Sequence, residues 1–207
     1  MSRESTKYPG LNLSSTHGED HEAAESMVFG FWVFLMSDVI LFGMVFATYV
    51  TSVQATAGGP VPAQLYDLKS AFVETLLLLA SSFTFGMASL SLKYKHSTVR
   101  LVGWLTVTLI LGIFFLSYEL HDFHVMFSKG GVPSRSGFLS AFFGLVPLHG
   151  IHVAGGCIWL LALLGQIARY GVDSETKLGI MRLALFWHFL DIVWVAIFSI
   201  VYLGGLA

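Results

Sequence analysis

The sequence predicts an all-α integral membrane bundle of five transmembrane helices. Composition is the first reason: of 207 residues, 55% are hydrophobic and 12% charged, whereas soluble domains carry about 25% charged residues. The mean hydropathy of +0.74 agrees. The second reason is distribution, because the apolar residues fall into five long runs. A helix rising about 1.5 Å per residue crosses a hydrocarbon core of about 30 Å in about 20 residues. Strands are excluded by the length of these runs and by their lack of alternation. In lipid, a helix also satisfies its own backbone hydrogen bonds. A net charge of -2 gives no surface for nucleic acid. Cys157 is the single cysteine, so no intrachain disulfide is possible.

Residues 1–26 read as a polar cytoplasmic tail, ahead of a transmembrane domain over 27–207. Arg3 and Lys7 are set against Glu4, Glu19, Asp20, Glu22 and Glu25. No basic cluster leads directly into a short apolar core, so the segment does not read as a secretory signal. His17 and His21 belong to this solvated tail. The expected helices are Met27–Val53, Ala71–Leu92, Leu101–Tyr118, Gly137–Ala168 and Leu178–Leu206. Between them stand Gly58-Gly59-Pro60 with Pro62, and Gly130-Gly131 with Pro133. Pro147 removes an amide donor inside the fourth helix and clashes with the carbonyl of Phe143, which predicts a bend.

Orientation follows from the eleven basic residues. Arg3, Lys7, Lys93, Lys95, Arg100, Arg169, Lys177 and Arg182 fall on one side; Lys69, Lys129 and Arg135 fall on the other. The positive-inside rule then places the N-terminus inside and the C-terminus outside. Tyr94 and Tyr170 are expected at the inner interface, and Tyr49, Tyr118 and Tyr202 at the outer one.

Ionisable residues within these runs carry the chemical information, since each must face protein or water. Asp38 lies in the first helix, Glu74 in the first turn of the second, and Glu119, His121, Asp122 and His124 follow the third. His149 and His152 share a face of the fourth helix, and His188 and Asp191 share one of the fifth. Counting about 1.5 Å per residue, Asp38, His152, His188 and Asp191 lie within about 9 Å of one another in depth. They are expected to tie helices one, four and five together, with His152 and Asp191 close enough in depth to pair. A metal or haem site on the histidines, and a proton relay through Asp38, are the alternatives. Ser82-x-x-x-Gly86 and Gly150-x-x-x-Ala154 follow the small-residue pattern that lets helix backbones approach. Trp187, Asp191 and Trp194 share one face of the fifth helix.

The stretch Trp187-His188-Phe189-Leu190-Asp191-Ile192-Val193-Trp194 resembles the signature of subunit III of the haem–copper terminal oxidases. Met36-Ser37-Asp38, Glu74-Thr75-Leu76-Leu77-Leu78, Tyr118-Glu119 and His149-Gly150-Ile151-His152-Val153 agree with it in order. The resemblance extends over residues 27 to 206. With five helices where cytochrome c oxidase forms often carry seven, the chain looks like the quinol-oxidase branch, the bo-type ubiquinol oxidases in particular. This implies an inner-membrane complex that reduces oxygen to water. It also implies a cofactor-free accessory subunit flanking and stabilising the catalytic subunit I, which carries the haem and copper. Bound phospholipid and contacts with the other oxidase subunits are implied too. Cytochrome c oxidase and nitric-oxide-reductase-associated relatives are alternatives within the fold; an independent haem protein or proton channel lies outside it. The family's intramembrane carboxylate falls on Asp38, where Glu is common in the cytochrome c branch. Pro147 stands where relatives usually have a smaller residue.

Overall fold

The computed structural model describes residues 18–58, 65–94 and 98–205, with side chains from residue 26 onward. Most of the expected tail, including Arg3, Lys7 and His17, lies outside the described residues. So do the Gly59 to Pro62 breaker and Lys95. Five helices long and apolar enough to cross a membrane occur among the described residues. They are α1 (Gly18–Ser52), α2 (Leu68–Lys93), α3 (Thr98–Ser128), α4 (Gly137–Tyr170) and α5 (Ser174–Ile197). The last continues as a π-helical turn, Phe198–Leu203. No strand occurs among the described residues.

The helices outrun their apolar cores because polar caps, not hydropathy, end them. Asp67 accepts from the Lys69 amide at 3.0 Å ahead of α2, and Asp173 from the Thr176 amide at 2.8 Å ahead of α5. Ser136 accepts from the Leu139 amide at 3.2 Å and opens α4. Each cap satisfies an amide that the first helical turn leaves without a partner. Gly171 closes α4 at φ 79°, a left-handed conformation that only glycine adopts without penalty. Between α3 and α4, Pro133–Arg135 form a 3-10 turn, and Arg135 donates to the Gly130 carbonyl at 3.2 Å. α4 runs unbroken through Pro147.

The largest departure from expectation is α3. Its apolar run stops near Tyr118, yet the helix continues to Ser128. Glu119 and Asp122 therefore lie within the helix, one turn apart, not at its end. The Ser70 hydroxyl, on α2, donates to Asp122 Oδ1 at 2.9 Å, so the polar extension still packs against a neighbour.

Helix α2 packs along α3, α3 along α4, and α4 along both α5 and α1, while α5 also meets α2 and α1. Helices α4 and α5 therefore form the middle of the bundle, and α1 flanks them. Much of α1 is exposed, including Phe29, Val33, Ile40 and Met44. Trp187 pins the centre: a Cβ added at Gly112 would lie 2.9 Å from its ring, and one at Gly156 3.1 Å from it. Only glycine on α3 and α4 leaves room for this indole.

Two sequence expectations are corrected here. Gly86 has nothing within 4 Å of an added Cβ, and Gly150 abuts the carboxyl of Glu119. The small-residue motifs thus do not serve the helix backbone contact expected of them. Tyr49 and Tyr202, expected at the interface, are each 2% exposed and sit in the core. They join Tyr66, whose hydroxyl lies 3.1 Å from that of Tyr49 and whose ring centroid lies 5.0 Å from that of Tyr202.

Candidate functional site

The polar residues form two ties and one enclosed cluster. The first tie joins α2 to α5. Trp194 donates its indole N–H to Thr75 Oγ1 at 3.0 Å, and Trp187 donates to Ser81 Oγ at 3.0 Å. Ser82 Oγ lies 2.7 Å from His188 Nδ1. Ser82 and His188 are also the groups that face the carboxyl of Asp191. Thr75 and Ser82 are two turns apart on α2, as are Trp187 and Trp194 on α5, so two antiparallel helices bring both sets into register.

The second tie, from α1 to α4, is looser, and Asp38 Oδ2 makes no hydrogen bond in it. Asp38 is 6% exposed, and its Oδ2 lies 4.0 Å from His152 Nε2. His152 Nδ1 lies 2.7 Å from the carbonyl of Leu148, which can only accept, so this nitrogen carries the proton. Nε2 is thereby presented to Asp38. The expected pairing of His152 with Asp191 is replaced by these separate ties. His152 looks to α1 and Asp191 to α2, because the two side chains leave α4 and α5 in different directions.

His149 occupies neither tie. It is fully buried against Phe115, at 5.8 Å between ring centroids, and Trp194, at 5.3 Å. Neither ring nitrogen has a hydrogen-bond partner. Glu74 and Glu119, 1% and 3% exposed, belong to the third cluster, between α2 and α3.

The donors do not fit the haem or copper of the oxidase family. His149, His152 and His188 face different surroundings, and no three His, Cys, Asp or Glu side chains among the described residues are placed to hold a metal. No step of chemistry is derived through such a group in this chain. Outside the membrane spans, burial pushes the Tyr66 phenol above its ordinary range. Hydrogen bonds from the Thr176 side chain and amide hold Asp173 below the usual carboxylate range.

Thr75, Ser81 and Tyr66 are functional neighbours that single-residue reading passes over. The two-turn spacing shared by Thr75 and Ser82 and by Trp187 and Trp194 is the signal that would have found the seam. An apolar groove of about 500 Å³ also runs between α1 and α5, lined by Trp32, Met36, Phe42, Phe46 and Phe189, with His188 at its wall.

Comparison with known proteins fits this arrangement. Residues 12–206 match the family model described as cytochrome c oxidase subunit III. The chain is similar to the cytochrome bo(3) ubiquinol oxidase subunit 3 of Pseudomonas aeruginosa, 46% identical over 189 residues, 91% of this chain and 90% of that protein. The Pseudomonas putida protein of the same name is 44% identical over 185 residues, covering 89% of each chain. The quinol oxidase subunit 3 of Bacillus subtilis is 38% identical over 185 residues, 89% of this chain and 90% of its own. With five candidate spans and bacterial relatives of this kind, it is a multi-pass protein of the bacterial inner membrane. The match over nearly the whole chain, on a five-helix bundle tied by its signature residues, establishes that the chain belongs to the cytochrome c oxidase subunit III family.

Proposed function

We propose that the chain is the accessory, cofactor-free third subunit of a proton-pumping haem–copper quinol oxidase that reduces oxygen to water. The observation that carries this reading is similarity over about nine-tenths of the chain to subunits of quinol oxidases from both Pseudomonas and Bacillus. In this reading, residues 1–26 form a cytoplasmic tail on the membrane domain, the N-terminus lies inside and the C-terminus outside. Subunit I is the partner and carries the haem and copper.

The geometry supports a supporting role. Asp38, His152, His188 and Asp191 act as a structural polar network, beside which Glu74, Glu119 and His149 are enclosed without such partners. Ties between α1 and α4 and between α2 and α5 select one packing, since a polar side chain that loses its partner inside a bilayer is costly. A single packing gives the catalytic subunit a defined face to dock on. The groove between α1 and α5 takes a phospholipid chain, whose apolar tail matches its lining. The Asp38–His152 pair, with its tautomer fixed by Leu148, keeps a titratable carboxyl near that lipid and so conditions the proton environment of the partner.

Affinity purification of the tagged chain from membranes in mild detergent tests this. The expected companions are a haem-bearing catalytic subunit and quinol-driven oxygen uptake. A Soret band on the isolated chain, or oxygen uptake with cytochrome c and none with quinol, would overturn the assignment.

A further inference from the structure

We infer that Glu74, Glu119 and Tyr202 enclose an internal proton-binding site, set between α2, α3, α4 and the π turn of α5 and reached from the end of the bundle through Asp122. This goes beyond the supporting role above and does not depend on the electron donor.

The two glutamates are almost fully enclosed, at 1% and 3% exposure. Both carboxyl oxygens of Glu74, and Oε1 of Glu119, have no hydrogen-bond partner. Among the described residues, neither makes an ion pair with Lys, Arg or His. Glu74 faces two further acids, Glu119 and Asp122, and no cation faces Glu74 or Glu119 themselves. Enclosed carboxylates without counter-charge or donor are strongly disfavoured, and the group neutralises by taking up a proton.

Independent features surround the acids. Tyr202 comes from α5, is 2% exposed, and faces Glu74, Glu119 and Asp122 as well as Tyr49 of α1. It sits in the π-helical turn, a local widening that often marks functional positions. On α4, Gly150 yields its side-chain space to the acid: an added Cβ would lie 2.6 Å from Glu119 Oε2. The preceding residue, His149, is fully buried with both ring nitrogens unpartnered. Its ring lies against Trp194, which in turn bonds Thr75, the neighbour of Glu74. Two carboxyls with unused hydrogen-bonding capacity thus meet a phenol, while the unpartnered imidazole lies one ring away behind Trp194. The ligand that such groups share is a proton, with water to carry it.

Asp122 supplies the way in. It is partly exposed, accepts from Ser70 at 2.9 Å, and has Asp67, His121 and Lys129 in its field. A proton passes from the aqueous edge to the Asp122 carboxylate and on to Glu74 or Glu119, converting one carboxylate to a carboxylic acid. No other bond forms or breaks.

Infrared spectroscopy of the protein purified from membranes with its native companions tests the site, whatever those companions prove to be. The wild type should show a protonated-carboxyl C=O band near neutral pH that shifts in heavy water. Glu74→Gln and Glu119→Gln should each remove a component of it. Asp38→Asn should remove none of the components lost in those two variants. Tyr202→Phe keeps the ring but removes the phenol dipole that faces both acids, and should shift the band, a change that a purely structural role would not give. If either Gln variant fails to assemble, Tyr202→Phe decides. A carboxyl band unchanged in Glu74→Gln and Glu119→Gln, or unmoved in Tyr202→Phe, would overturn the inference.

Discussion

His152 and Ser82 show how single atoms decide the pairing of this bundle. Because Leu148 offers only a lone pair, the His152 ring cannot swap its tautomer without losing that bond, and Nε2 stays turned to Asp38. Ser82 lies 2.7 Å from His188 Nδ1 and also faces Asp191, so one small side chain meets two polar groups of α5. At the surface, Asp173 behaves differently, being set by its hydrogen bonds with Thr176. Its folded pKa lies below the unfolded one. The cap therefore stabilises α5 above the ordinary carboxylate range of about 4 and is lost as pH falls through the lower, folded value. Amide exchange at Thr176, corrected for its intrinsic rate, should accelerate on acidification through that window. In Asp173→Ala it should be fast and nearly independent of pH.

At the scale of the helix, the seam of α2 and α5 is the element-level device, and it is quantifiable. A double-mutant cycle of Thr75→Val with Trp194→Phe should give a coupling of about 0.6 kcal/mol, with about 2 kcal/mol as the upper end for hydrogen bonds in membranes. Thermal unfolding of the complex in detergent measures it, and strict additivity would show that the indole bond to Thr75 is incidental. The helices themselves were legible from apolar run length. The start of α4 at Gly137 was legible too, but the starts of α2 and α5 were not, because Asp67 and Asp173 lie outside the runs and act through caps. The extension of α3 was hidden for a related reason: Glu119 and Asp122 look like a helix end until α2 is known to cover them. The residues of the site could be named, since an acid or histidine in an apolar run stands out. Their partners could not. Depth along a helix follows from counting residues, but direction around it depends on which neighbour each face meets. That is why His152 finds Asp38 and not Asp191. The π turn leaves no composition signal at all, and with it went the burial of Tyr202.

For the whole molecule, topology is the property the basic residues predict and packing does not. Reporter fusions at Gly58 and Ala207 should read outside and one at His96 inside, following the excess of Lys and Arg on one face. An outside signal at His96 would reverse the orientation of every site described. The bundle is asymmetric in a second way. Helix α1 buries less of its surface than any of the other four spans. More exposed large apolar side chains thus lie on the first helix than on any other.

The place of the α2–α5 seam in the chain has a consequence for how the protein is made. Thr75, Ser81 and Ser82 leave the ribosome early, while Trp194, Trp187 and His188, which complete them, are on the final helix. Before α5 is made, the Thr75 and Ser81 hydroxyls of α2 have only their own backbone to bond, Ser82 lacks His188, and Glu74 lacks Tyr202. The bundle closes only when the last span is inserted, and a nascent chain arrested before α5 presents insertion and quality-control machinery with an acid on a lipid-facing helix. Translation order thus leaves the α2–α5 seam open until α5 is inserted.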